Sequence, residues 1–186
     1  MKSTRELIIE EASTLFYKKG FEKTSFADIA GKVNISRGNF YHHFKTKDSI
    51  LDEVIKFRMN NTKQMLLKWE DEGKTPFDRI NCFIHILITN LTKIKLYGCP
   101  VGTLTTELAK LNHSSKKEAK KIFELFRVWL KDQFIELGHK KNADKYAMHI
   151  LARSQGVATM LNAYKDEDFV NEEVKLMVKW LKEITK

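Results

Sequence analysis

The chain has 186 residues, 42% of them hydrophobic and 31% charged, a balance that excludes a disordered chain and allows a buried core. Its formal net charge of +9 points to an anionic partner, with nucleic acid and an acidic membrane surface as the leading classes. Two cysteines, Cys82 and Cys99, exclude a disulfide framework, and no apolar run suits a signal peptide or a membrane span, so a cytoplasmic protein with no membrane contact is expected.

Strand-like alternation is absent. Apolar residues recur at three- and four-residue spacing almost throughout, which predicts an all-α fold of about nine helices. Ser3 with Glu6 is a capping-box pattern, and the helix it opens runs to about Lys19, ended by Gly20. Ser25 with Asp28 caps a short helix ending near Val33. Ser36 opens another that ends near Phe44. One long helix is predicted from Lys47 to about Glu72. Thr75-Pro76 starts the next, which should reach about Ile94. Cys99-Pro100 starts a helix ending near Leu111. Ser115 with Glu118 starts one that reaches about Leu137, with Gly138 after it. Two more follow, Asn142 to about Tyr164 and Asp168 to about Ile184. The natural division is an N-terminal three-helix domain, 1–46, and a larger C-terminal domain, 47–186.

The second and third helices meet at Asn34-Ile35. Asn tolerates the left-handed conformation that a tight inter-helix turn requires, and Ala30 is small where the helices must pack. Two short helices on such a turn fit the helix-turn-helix pattern, whose second helix enters the major groove. Ser36 and Arg37 begin that helix. Arg37 can donate twice to a guanine edge, Asn39 can pair with adenine, and Gly38 allows a close backbone approach. Tyr41, His42, His43, Lys45 and Lys47 supply donors for phosphates. Thr24 and Ser25, with the first amides of the second helix, can hold another phosphate. The adjacent histidines also raise a metal site. Neighbouring helical residues point about 100° apart, however, and a metal-binding pair prefers i, i+4 spacing, so no metal and no cofactor are expected.

The run TSFADIAGKVNISRGNFYHHFKTKDSIL, 24–51, together with Phe16-x-x-x-Gly20-Phe21 before it, closely resembles the N-terminal domain of the tetracycline-repressor (TetR) family of bacterial transcription regulators. The resemblance covers about a quarter of the chain. Asn34 departs from the glycine often found at that turn. The resemblance implies a homodimer on a palindromic DNA operator, released by a small-molecule inducer held in the C-terminal domain. It places Ser36, Arg37, Gly38 and Asn39 against bases, and Ser25, Tyr41, His43 and Lys47 against the DNA backbone. The alternatives are an activator or architectural DNA binder of the same kind without a ligand, and an enzyme. For an enzyme there is no Ser/His/Asp set, glycine-rich phosphate loop or His-Glu metal motif.

The C-terminal half is less specific. Phe57, Asn61, Met65, Trp69, Phe83, Leu87, Asn90, Phe126, Trp129, Gln155 and Thr159 are candidate pocket residues, each equally at home in a plain core. In YGCPVGTLTTELA, 97–109, Cys99 stands where a helix dipole favours the thiolate. A reactive thiol that senses an electrophilic inducer is one reading, and a small residue in a tight turn is the other. Similar Gly-Cys-x-x-Gly…Glu segments occur in one subgroup of the resembled family. For the dimer, Ala147, Ile150, Leu151, Ser154, Val157 and Ala158 make one expected face and Val174, Met177, Val178 and Leu181 another, packing as a four-helix bundle.

Overall fold

The structure is a computed structural model that describes residues 2–185. Among the described residues every regular element is a helix: α1 (Thr4–Lys19), α2 (Phe26–Val33), α3 (Arg37–His43), α4 (Lys47–Glu72), α5 (Pro76–Thr89), α6 (Leu91–Tyr97), α7 (Pro100–Lys110), α8 (Lys116–Glu136), α9 (Ala143–Tyr164) and α10 (Glu167–Ile184). Taken as one interrupted run, α5 and α6 give the nine expected. No helix among the described residues is long and apolar enough to cross a membrane.

Local chemistry explains most boundaries. Ser3, Ser25 and Thr75 each accept from the backbone N–H three residues on, and the acidic residue there accepts from the cap's own N–H. These reciprocal bonds satisfy amides that a helix start leaves open. Gly20 ends α1 at φ 92°, a left-handed value suited to glycine. The predicted helix 76–94 breaks at Asn90. The backbone there departs from helical values at φ −106°, ψ 15°, and its N–H is shared between the Ile86 and Ile88 carbonyls. α10 begins earlier than expected because the Asp166 carboxylate accepts from the Phe169 N–H at 3.1 Å. Ser115 and Glu118 do not cap one another. The Ser115 hydroxyl donates to Asp52 at 2.8 Å, and Glu118 pairs with Lys121.

The chain divides into two compact units. The first comprises residues 1–62 and 100–122, and the second 63–99 and 123–186. By packing, then, α1–α3 are joined by the first part of α4 and by α7, rather than standing alone to residue 46. In the first unit Ile8, Phe16, Ile29, Phe40, Phe44 and Leu51 share a buried core with Leu104 and Leu108.

In the second unit, Ile80, Ile84, Leu130 and Phe134 are buried with the inner faces of α9 and α10. Those inner faces include Ala147, Ile150, Leu151, Ser154, Val157, Ala158, Val174, Met177 and Leu181, all buried inside a single chain, while Val178 is half-buried. The expected dimer faces are thereby corrected. These side chains are already enclosed by their own subunit and have no surface left for a partner. The opposite side of α9 is the exposed one, with Met148, Ala152, Gly156, Met160 and Ala163 along it.

Candidate nucleic-acid interface

The α2–α3 pair is built from its ends. Asn34 adopts φ 57°, ψ 46° and its N–H donates to the Ala30 carbonyl. The Ile35 N–H donates to the same oxygen at 3.2 Å. This is the left-handed helix end expected of that asparagine. Ser36 then caps α3 by accepting from the Asn39 N–H at 3.2 Å. Phe40, 1% exposed, anchors α3 in the core. The Phe26 ring lies 5.0 Å from the Phe40 ring and 5.4 Å from that of Tyr41.

One buried aromatic leaves the rest of this short helix outward. Ser36, Arg37, Gly38, Asn39, Tyr41, His42 and Lys45 are exposed, and His43 is half-buried. A Cβ added at Gly38 would meet nothing within 4 Å, so the chain's own packing does not require glycine there. The His42 and His43 rings stand edge to face at 5.5 Å. No group of three His, Cys, Asp or Glu suited to a metal occurs among the described residues.

Three expected phosphate donors are placed differently. The Thr24 hydroxyl is buried and donates to the Gly20 carbonyl at 2.7 Å, which removes it from the list of surface donors. The Lys47 ammonium donates to the carbonyls of Phe21 and Glu22 at 3.1 and 3.0 Å and lies 4.5 Å from the Phe21 ring centre. Two of its three donors are therefore committed to the α1–α2 loop, leaving one for a phosphate. Ser25 is exposed at the start of α2, yet its N–H and its hydroxyl both donate to Asp28, which leaves neither for a phosphate. Its hydroxyl donates to Asp28 at 2.6 Å, and Lys19 donates to the same carboxylate group at 2.9 Å. These bonds, that of the Ser25 hydroxyl above all, hold the Asp28 pKa well below the usual carboxylate range. A negative charge on this face is thus already paired before any phosphate arrives.

The candidate ligand residues do not form one group. Phe57 and Asn61 belong to the first unit, Phe57 against its core and Asn61 exposed. In the second unit Trp69 packs on Phe83 and Trp129, and Phe83 on Phe126, with ring centres 5.7 to 6.5 Å apart. The Trp129 indole N–H donates to Glu70 at 2.8 Å. Leu87 is buried, and Met65, Asn90, Cys99 and Gln155 are half-buried. Thr159 is exposed on the outer side of α9, its hydroxyl donating to the Gln155 carbonyl. An open hollow of 620 Å³ in this unit lies elsewhere, between α5 and α10, lined by His85, Ile88, Asp168, Glu172 and Lys175 among others.

Three residues near the interface stand in none of the expected site sets, although Glu107 is the glutamate of the Gly-Cys-x-x-Gly…Glu segment. Glu107 accepts from the N–H groups of Phe21 and Glu22, both at 2.9 Å. The His113 ring packs edge-on against Phe21 at 5.2 Å. Arg58 donates to the Ser13 carbonyl at 2.8 Å and to the Pro100 carbonyl at 2.9 Å. These partners are more than forty positions apart, beyond the reach of any spacing pattern.

Residues 8–54 match the family described as bacterial regulatory proteins, tetR family. Residues 76–172 match the C-terminal domain described as transcriptional regulator LmrA/YxaF-like. The chain is similar to an uncharacterized HTH-type transcriptional regulator in the lacX 3' region of Lactococcus lactis, 24% identical over 184 residues, 95% of this chain and 92% of that one. It is also similar to the biofilm operon icaADBC HTH-type negative transcriptional regulator IcaR of Staphylococcus aureus, 26% identical over 129 residues, 64% of this chain and 69% of that one. In fold it resembles a TetR transcriptional regulator from Legionella pneumophila, with a TM-score of 0.85, 24% identity, and 96% of this chain and 97% of that one covered. A TetR-family regulator from Cytophaga hutchinsonii superposes with a TM-score of 0.84 at 18% identity, covering 97% and 94% of the two chains.

Proposed function

This chain belongs to the TetR family of bacterial transcription regulators, and from that premise we propose that it is a cytoplasmic repressor. It binds a palindromic operator as a homodimer and releases it when a small molecule occupies the C-terminal half. The observation that carries the reading is the outward edge of α3. Arg37, Gly38 and Asn39 stand exposed over a helix whose Phe40 is fixed in the core, the arrangement a recognition helix needs to reach base edges. The sense of regulation follows the similarity to a regulator named as negative. Tyr41, His43 and the remaining donor of Lys47 serve the DNA backbone, while Ser25, whose hydroxyl and N–H are committed to Asp28, serves as the cap of α2.

A palindrome requires two recognition helices roughly 34–36 Å apart, one turn of B-DNA. The dimer contact falls on the outer side of α9. Gly156 lies in the middle of that helix, and a Cβ there would meet nothing within 4 Å. Glycine at such a position costs about 1 kcal/mol relative to alanine, and nothing in its own subunit requires it. A second α9 packed closely against Ala152, Gly156 and Ala163 does. The releasing signal enters through the C-terminal half, and Cys99, half-buried directly before α7, is the thiol an electrophilic inducer would reach.

Selection from random DNA, followed by gel shift at several salt concentrations, tests this reading. The expected product is a palindrome with half-sites one turn apart, bound by two chains. A selection returning no palindrome, or a single chain per site, would overturn it. A thiol-reactive electrophile added to the same assay should release DNA from the unmodified protein and not from Cys99→Ser. Equal release from both removes Cys99 from the reading.

A further inference from the structure

We infer that Glu107 is a positioning residue for DNA binding: from α7 it holds the loop that leads into α2, and operator affinity depends on that hold. The inference rests on the reading of the first unit as the DNA-binding one.

The loop between α1 and α2 is gripped from two sides. Glu107 accepts from the N–H groups of Phe21 and Glu22. Lys47, at the start of α4, donates to the carbonyls of the same two residues. Two consecutive residues thus have both backbone donors held by a carboxylate and both acceptors held by an ammonium. Such charge-assisted bonds are stronger than neutral ones. The rest of the loop is locked in step. The Thr24 N–H donates to the Phe21 carbonyl at 3.2 Å and the Thr24 hydroxyl to the Gly20 carbonyl. The residue after Thr24 is Ser25, the cap of α2.

Gly20 shows how close the carboxylate sits. A Cβ on Gly20 would stand 3.0 Å from Glu107 Oε1, at a φ of 92° that already disfavours a side chain. The sequence therefore keeps glycine here for the turn and for the room that Glu107 needs. α7 is fixed at its other end too, where the Pro100 carbonyl accepts from Arg58, which also donates to the α1 carbonyl of Ser13. A displacement of α7 must therefore move the α1–α2 loop or break the two bonds to its amides. Glu107 touches no DNA in this arrangement; it acts through the loop and the cap.

The test uses the full-length chain and a duplex selected from random DNA by the unmodified protein. Glu107→Gln keeps one carbonyl acceptor and Glu107→Ala keeps none. Affinities are compared at a temperature where circular dichroism shows all three proteins fully folded. The expected order is unmodified, then Glu107→Gln, then Glu107→Ala, with the alanine variant on the order of tenfold weaker. The dependence on salt should be unchanged, since no phosphate contact is removed. Hydrogen exchange at the Phe21 and Glu22 amides should speed up in the same order. Equal affinity of all three proteins while those amides exchange faster would overturn the inference, as would unchanged exchange. The unmodified protein's own binding decides the underlying DNA reading, and the ratio between variant and unmodified protein decides the role of Glu107.

Discussion

The α2–α3 pair and the α9–α10 pair are built on opposite plans. α2 and α3 are short, and each has one side that the core needs. Ile29, Ala30 and Phe40 go in, and the polar residues that remain face out. α9 is 22 residues long and has two sides acceptable to a core. Ala147, Ile150, Leu151, Val157 and Ala158 are enclosed, while Met148, Ala152, Gly156, Met160 and Ala163 remain outside. A helix with one apolar side is finished once that side is covered. A helix with two asks for a second partner, and its own sequence does not say which side comes first.

The largest expected effect separates those two sides of α9. Ile150→Ala removes a fully buried side chain and should cost about 2–5 kcal/mol of folding stability, read by denaturant unfolding. Gly156→Arg puts a long charged side chain into open space on one chain and against the partner in the dimer. It should leave helix content intact and convert the protein to a monomer in sedimentation, with operator affinity falling at least about a hundredfold, because each chain then binds only one half-site. If Gly156→Arg remains a dimer with full affinity, the outer side of α9 is not the interface. If Ile150→Ala instead yields a folded monomer, the inward assignment is the mistaken one.

That inversion shows where the amino-acid order runs out. Caps are local chemistry over four residues, so Ser3, Ser25, Ser36 and Thr75 mark their helices correctly. Asn34 could be assigned to the left-handed turn for the same reason. Periodicity groups residues onto a common side of a helix, and the group Ala147 to Ala158 does share one. Which side is enclosed depends on what α5, α6 and α10 present to it, and that is not written in α9. Trp69, Phe83, Phe126 and Trp129 were legible as pocket or core residues alike, and only the folded chain shows their rings packed on one another. Arg58 was invisible, and Glu107 stood in a family-like segment without a readable role, because their partners lie far away in sequence. Thr24 and Lys47 look like surface donors in the sequence, and only the folded loop reveals the carbonyls they serve.

Next in size is the contrast between Arg37 and Lys47 at the DNA face. Arg37→Ala should cost about 1–3 kcal/mol on the selected operator and relax preference at one base pair per half-site. Lys47→Met should weaken matched and mismatched duplexes together, with the salt slope falling by at most about one. Its ammonium is shared between the loop carbonyls and the single donor left for a phosphate, so looser binding should come with faster exchange in residues 21–24. Competition gel shifts with single-base variants read the first effect and a salt series reads the second. A change of base preference in Lys47→Met would mean that the loop it holds also sets the angle of α3.

The smallest effect concerns acid stability and tests whether the DNA-facing cap is made by charge. Asp28 has its pKa depressed by the Ser25 hydroxyl first, then by Lys19 and the Ser25 N–H. A folded-state pKa below the unfolded value means that the carboxylate stabilises the fold only while it is ionised. Its contribution is present in full above the unfolded carboxylate pKa of about 4 and is lost as pH falls through the depressed folded value. Asp28→Asn keeps the side chain's shape and can still accept from the cap, but it cannot lose a proton. The variant should therefore be slightly less stable than the unmodified protein at pH 7, and the gap should begin to narrow as the pH is lowered below about 4. Thermal unfolding of the two proteins from pH 7 down to pH 3 makes the comparison. A gap that stays constant with pH would mean that the α2 cap depends on hydrogen-bond geometry alone. The pairing of Asp28 with Lys19 would then have no part in keeping this face ready for phosphate.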